Sequence, residues 1–225
     1  MEFLQVRLRA SRDSFEAQKS FYGSDLGLEQ ASGGAFAIGA TVLEFVFGEG
    51  QPFYHFALLV PGNRFEAALE WARERVELLP DADSGELVFD FSNWDALACY
   101  FHDPAGNIVE LIAHRGVGEN EARGLFAPRE LLGFSELGVI GDDSAAMARE
   151  LEQLGLRLWD GTVDEPGRLA FVGEKARTLI LSPLGRGWLP TGRPAEPHPV
   201  ELVLSGGETG ERTVGGVHRI SVRAA

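Results

Sequence analysis

The chain has 225 residues, 44% of them hydrophobic and 24% charged, which is enough for a sizeable core. Its 34 acidic residues outweigh 20 basic ones, and a net charge of -14 excludes a basic nucleic-acid groove. Apolar runs such as 56–60 and 108–113 are far shorter than the roughly 20 residues of a membrane-spanning helix. The start of the chain lacks a basic, apolar leader pattern. Cys99 is the sole cysteine, so neither an internal disulfide nor a cysteine-caged zinc site is available. The expectation is a cytoplasmic protein that engages a small molecule, with no nucleic-acid or membrane partner.

In chain order, residues 3–10 (FLQVRLRA) alternate as a half-buried strand, with Leu4, Val6 and Leu8 on one face and Gln5, Arg7 and Arg9 on the other. Residues 13–22 set Phe15, Lys19 and Tyr22 near helical spacing, with Ser11 or Asp13 as the N-cap. Short strands follow near 27–31, 35–38 and 41–47, so the first unit reads β-α-β-β-β. The unit then recurs. A strand over 53–60 leads to a helix over 64–77 with Phe65, Leu69, Ala72 and Val76 on one face, then to strands near 86–91, 97–102 and 107–113. The last two are joined by a turn over 103–107, where Gly106 supplies permissive backbone. Glycines and charges across 116–124 read as a surface linker. A third copy begins at 135–140. Its helix, capped by Asp142 or Asp143, runs through Met147, Leu151 and Leu154 to Gly155, and strands follow near 156–160, 168–172 and 177–182. Beyond Pro183 a Pro/Gly-rich excursion precedes strands at 200–204 and 217–222.

Three segments carry a family resemblance: Ser20–Leu28 (SFYGSDLGL), Tyr54–Val60 (YHFALLV) and Tyr100–Leu111 (YFHDPAGNIVEL). Together they resemble the vicinal oxygen chelate superfamily, which includes glyoxalase I, ring-cleaving dioxygenases and bleomycin or fosfomycin resistance proteins. The match spans residues 1–115. It implies an α+β fold in which paired β-α-β-β-β modules form a cup-shaped sheet. The expected domains are 1–115 with two paired modules, a linker over 116–132, and a degenerate third module in 133–225.

The resemblance also implies a divalent metal held by one side chain from each of four strands, here Gln5, Glu44, His55 and Glu110. The residues suit that role physically. Glu44 lies between Leu43 and Phe45, and Glu110 between Val109 and Leu111. A carboxylate inside an apolar strand is costly unless something pairs with it. Two carboxylates, an imidazole and an amide oxygen form a mainly hard set suited to Zn, Ni, Mn, Fe or Co, with open positions for substrate.

Glutamine on the first strand separates the chain from ring-cleaving dioxygenases, which need histidine there. The set resembles that of some glyoxalase I enzymes, in which a metal-bound glutamate moves a proton between neighbouring carbons. That gives Glu110 as the base, with Glu44 as the alternative. Arg7 shares the Gln5 face, so it either meets an anionic substrate group or lies on a solvated rim. Trp94 is placed as an apolar wall. Tyr100 is the aromatic candidate for substrate contact; it shares a face with His102, while Cys99 and Phe101 share the other, and one pair lines the pocket. Cys99 reads as core. Glu136 falls at or beside the place matching His55, but 178–183 has no acid to match Glu110, so the third module is read as having no metal of its own. Glu201, in VELVL, weakly echoes Glu110. Two functions follow: a metal-dependent isomerase, lyase or epimerase, or a non-catalytic binding protein like the bleomycin-resistance branch. A homodimer is expected, because a half-unit leaves sheet edges uncovered.

Overall fold

The structure, a computed structural model, describes residues 1–224. Period-two patterning becomes strand nearly throughout. The first module comprises β1 (Glu2–Ala10), α1 (Phe15–Ser20), β2 (Glu29–Gln30), β3 (Phe36–Ile38) and β4 (Thr41–Phe47). The second comprises β5 (His55–Val60), α2 (Phe65–Arg73), β6 (Leu78–Leu79), β7 (Phe89–Phe91), β8 (Ala96–His102) and β9 (Ile108–His114). The third comprises β10 (Gly133–Gly141), α3 (Ser144–Glu152), β11 (Leu158–Gly161), β12 (Ala170–Glu174) and β13 (Arg177–Pro183). A hairpin of β14 (Gly187–Trp188) and β15 (Arg193–Pro194) follows. The last module has strands alone: β16 (Val200–Ser205), β17 (Gly210–Val214) and β18 (His218–Arg223). Of the two candidate caps for α3, Asp143 is the one used, its carboxylate accepting from the Ala146 N–H at 2.8 Å.

The strands form two large sheets, ordered β17-β18-β16-β1-β4-β3-β2 and β11-β12-β13-β10-β5-β9-β8-β6, with β7 on β8. The first module therefore pairs with the last through antiparallel β1 and β16, and the second with the third through antiparallel β5 and β10. This corrects the expected domain of residues 1–115, in which 1–50 paired with 53–115. Alternation dictates which face of a strand is buried but not which strand lies at its edge. Here VELVL of β16 partners β1, and the 116–132 segment brings β10 alongside β5. All four modules find partners within the chain, so the uncovered half-unit that motivated a homodimer is not present.

One face of each sheet feeds a shared core. Val6 and Leu8 of β1, Phe56 and Leu58 of β5, Leu137 and Val139 of β10, and Leu202 of β16 are all buried in it. Phe56 stacks on Phe134 with ring centroids 5.1 Å apart. By alternation, Gln5, Arg7, His55, Ala57, Glu110 and Glu136 point the other way, into the concave faces.

The three resembling segments meet at the 103–107 turn. The Tyr22 hydroxyl donates to Asp103 at 2.8 Å, Asp103 accepts from the Ala105 and Asn107 N–H groups, and the Tyr54 N–H donates to Asn107 at 2.7 Å. Gly106 takes φ +77°, which tightens the reversal. Tyr22→Phe removes a donor from a buried carboxylate, so a loss of about 1–3 kcal/mol is expected by urea denaturation. An unchanged midpoint would show the contact to be dispensable.

Candidate metal centre

The strand registers assemble the site. In the parallel β5–β9 pair Ala57 lies beside Glu110, and in the antiparallel β5–β10 pair it lies beside Glu136. Tyr100 faces Glu110 across β8–β9. Tyr100, Glu110, Ala57 and Glu136 thus form a row across four strands, and His55 stands two residues back along β5 on the same face. A register shift between Phe134 and Glu136 sets the acid into this row. One ligand atom from each of His55, Glu110 and Glu136 lies within 4.8 Å of the others, and all three residues are buried. His55 Nε2 is 3.6 Å from Glu110 Oε2.

His55 Nδ1 lies 3.1 Å from the Ile108 carbonyl, which can only accept, so Nδ1 carries the proton and the Nε2 lone pair faces Glu110. Burial lowers the imidazole pKa to about 4, keeping it neutral. Burial also pushes Glu136 up to about 8. Glu110 rises well above the carboxylate range, through burial first and the Glu136 charge second, while hydrogen bonding from Tyr100 opposes the rise. Ala57, between the two acids, brings no charge. Two carboxylates and an imidazole lone pair converging away from water need a proton or a cation among them. One nitrogen and two carboxylate oxygens on rigid strands fit a divalent ion with open positions.

Above this floor is a cavity of about 120 Å³ with mostly aromatic walls: Phe91, Trp94, Tyr100, Phe171 and Trp188. Trp188, on the β14–β15 hairpin, covers His55 with ring centroids 4.8 Å apart. Gly138 makes room for it, since a Cβ there would lie 3.0 Å from the indole. Arg186 stands at the mouth, donating from Nε to the Gly167 carbonyl at 3.2 Å and from Nη1 to the Gly187 carbonyl at 2.9 Å. It makes no ion pair among the described residues.

The four expected ligands are divided between the two sheets. His55 and Glu110 belong to this centre. Gln5 and Glu44 lie on the other sheet, where the Gln5 amide donates to Glu44 at 3.2 Å and Arg7 bridges Glu44 (2.9 Å) and Glu201 (3.0 Å). Gln5 and Glu44 are therefore not ligands here, Glu44 is not the alternative base, and Arg7 does not face this cavity. The reason is the strand pairing: β5 has β10 beside it, not β1. Trp94 and Tyr100 do line the cavity. The third member of the cluster, Glu136, comes from the module that was read as having no metal of its own. Its signal was present in the sequence, an acid between Ser135 and Leu137 on a first strand aligned with His55. Arg186 and Trp188 come from the excursion, which has no periodicity to read.

No family model matches the chain, and no curated protein matches it. Among solved structures, a putative dioxygenase from Bacillus subtilis is similar at 15% identity, covering 99% of this chain and 85% of that one with a TM-score of 0.58. Glyoxalase I from Zea mays is similar at 14% identity, covering 89% of this chain and 74% of that one with a TM-score of 0.51. These likenesses show the fold: the chain shares a glyoxalase-like architecture with these proteins.

Proposed function

We propose that the protein is a metal-dependent enzyme that moves a proton on a small, oxygenated, anionic substrate. The observation that carries this reading is the buried convergence of His55, Glu110 and Glu136 at the floor of an aromatic cavity. A divalent ion held by these three side chains would supply Lewis acidity to adjacent substrate oxygens. Tyr100 faces Glu110 across β8–β9, and the Ile108 carbonyl orients His55. Glu136 accepts no hydrogen bond from the protein among the described residues and lines the cavity floor, which places its carboxylate to take up and return a proton on a bound substrate. One imidazole with two carboxylates also differs from the two-histidine, one-carboxylate set of non-haem iron oxygenases, which favours proton transfer over oxygen chemistry.

The cavity supports a size limit. At about 120 Å³ it approaches the roughly 150 Å³ that holds a benzene ring, so it suits one ring or a short chain and not a peptide conjugate. Arg186, half-buried and unpaired at the mouth of a strongly acidic protein, suits a carboxylate. Arg186→Met is expected to weaken benzoate binding about 10-fold or more, read by quenching of tryptophan fluorescence, and to leave benzyl alcohol unaffected. Equal losses for both probes would remove the carboxylate from the reading.

The test of the whole is metal content followed by proton exchange. The purified protein should hold about one divalent ion per chain and, so loaded, should exchange solvent deuterium into small 2-oxo and 2-hydroxy carboxylates, followed by NMR. A second reading, ligand sequestration without chemistry, is favoured by the aromatic walls. It stands if probes bind to a protein that takes up no metal, and metal without exchange would count against proton transfer.

A further inference from the structure

The central strands of the two sheets correspond in order and register. Strands β1, β4, β16 and β18 occupy the places of β5, β9, β10 and β13. Arg7 pairs with Glu44 on one side and Glu201 on the other, just as Ala57 pairs with Glu110 and Glu136. Gln5, two residues before Arg7, holds the place of His55. Local sequence agrees, with FLQVRL set against FYHFAL, LEF against VEL, and VELV against SELG. The second concave face therefore repeats the acid pair of the first and offers an amide where the first has an imidazole. What differs is the residue between the acids, arginine for alanine, and the setting of the acids: Glu44 and Glu201 are part-exposed, whereas Glu110 and Glu136 are buried.

That difference puts a charge where the first cup has none. Arg7 rises from the central strand between carboxylates on the two flanking strands. Its Nε and Nη2 reach Glu44 Oε2 at 3.0 and 2.9 Å, and Nη1 reaches Glu201 Oε2 at 3.0 Å. Arg219, next in the row beyond Glu201, is engaged by Glu211 at 3.0 Å, which leaves Arg7 as the cation spanning the acid pair. The methyl group of Ala57 supplies nothing comparable to Glu110 and Glu136.

We propose that Arg7 is a tethered cation occupying, in the second cup, the place a divalent ion takes in the first, so that the chain loads one ion and not two. A guanidinium held by both acids satisfies them and repels an incoming cation. The two cups thereby have different tasks: one is available for chemistry, and the other is closed by its own side chain. The count of one rests on the metal reading above; the closure by Arg7 is read as a difference between variants and does not.

The experiment is equilibrium dialysis of the folded full chain against Zn²⁺ or Mn²⁺, with metal per chain measured by mass spectrometry. The parent should hold one equivalent, Arg7→Ala two, Arg7→Lys one, and Arg7→Ala combined with Glu201→Gln one. An Arg7→Ala protein with the same content as the parent would overturn the proposal, and so would a gain that survives Glu201→Gln. A parent with no metal would overturn the reading of the first cup, while the difference between Arg7→Ala and parent would still decide this one. Should alanine prevent folding, Arg7→Gln keeps the stem without the charge and is scored in the same way.

Discussion

Glu136→Ala is expected to abolish divalent-metal uptake, as are His55→Ala and Glu110→Ala, whereas Gln5→Ala and Glu44→Ala are expected to leave it at the parent level. Each of the first three removes one of the three side-chain donors that meet within 4.8 Å. The loss should exceed the roughly 10–100-fold that removal of an outer-shell partner costs. A thermal readout should agree. At metal a hundredfold above its dissociation constant the parent gains about 2.7 kcal/mol of stability, and the ligand variants gain nothing. Metal uptake that survives Glu136→Ala but fails in Glu44→Ala would return the ligand set to the one the family resemblance implied, and the pairing of β5 with β10 would no longer locate the centre.

How much of this was legible follows from what each kind of signal can carry. The β-α-β-β-β units were readable because alternation at 3–10, 53–60 and 135–140 and the helix between are local patterns. Two of the three clustered residues were readable because an ionisable residue inside an apolar strand is conspicuous, as with Glu110 between Val109 and Leu111. Pairing between modules was not readable. The row Glu110–Ala57–Glu136 depends on which strand lies at the edge of β5, and neither β1 nor β10 announces that partner by its own alternation. The family resemblance covers residues 1–115, so it drew all four ligands from that stretch and passed over Glu136. The same limit hid the role of Arg7. In sequence it is a charge on the Gln5 face; only beside Glu44 and Glu201 does it become a bridge.

Metal-free protein should lose stability as pH rises from about 6.5 to 8, and bound metal should remove that loss. Glu136 keeps its proton in the folded state to about pH 8, whereas an unfolded glutamate releases it near 4.5, so between those values the folded chain binds more protons and stability falls with pH. Glu110 shifts in the same direction through burial and the Glu136 charge. His55 and His114, both lowered to about 4 by burial, act oppositely: between 4 and 6.5 the unfolded chain binds protons the folded chain refuses, and stability rises with pH. The histidine and carboxyl effects therefore oppose each other up to about 6.5, and above it the carboxyls alone set the slope. Each full proton is worth about 1.4 kcal/mol per pH unit, or roughly 3–6 °C in melting temperature for a chain of this size. A bound divalent ion holds both acids ionised and supplies the charge they lack, so the loaded protein should show no such fall and should release protons as it loads. Urea midpoints of chelator-treated and Zn²⁺-loaded protein across this range measure both states. Glu110→Gln combined with Glu136→Gln should flatten the metal-free curve, because neither amide titrates. A metal-free parent as stable at pH 8 as at 6.5 would mean that the acids are not confined together in the buried row, and the cavity floor would then have no need of a cation.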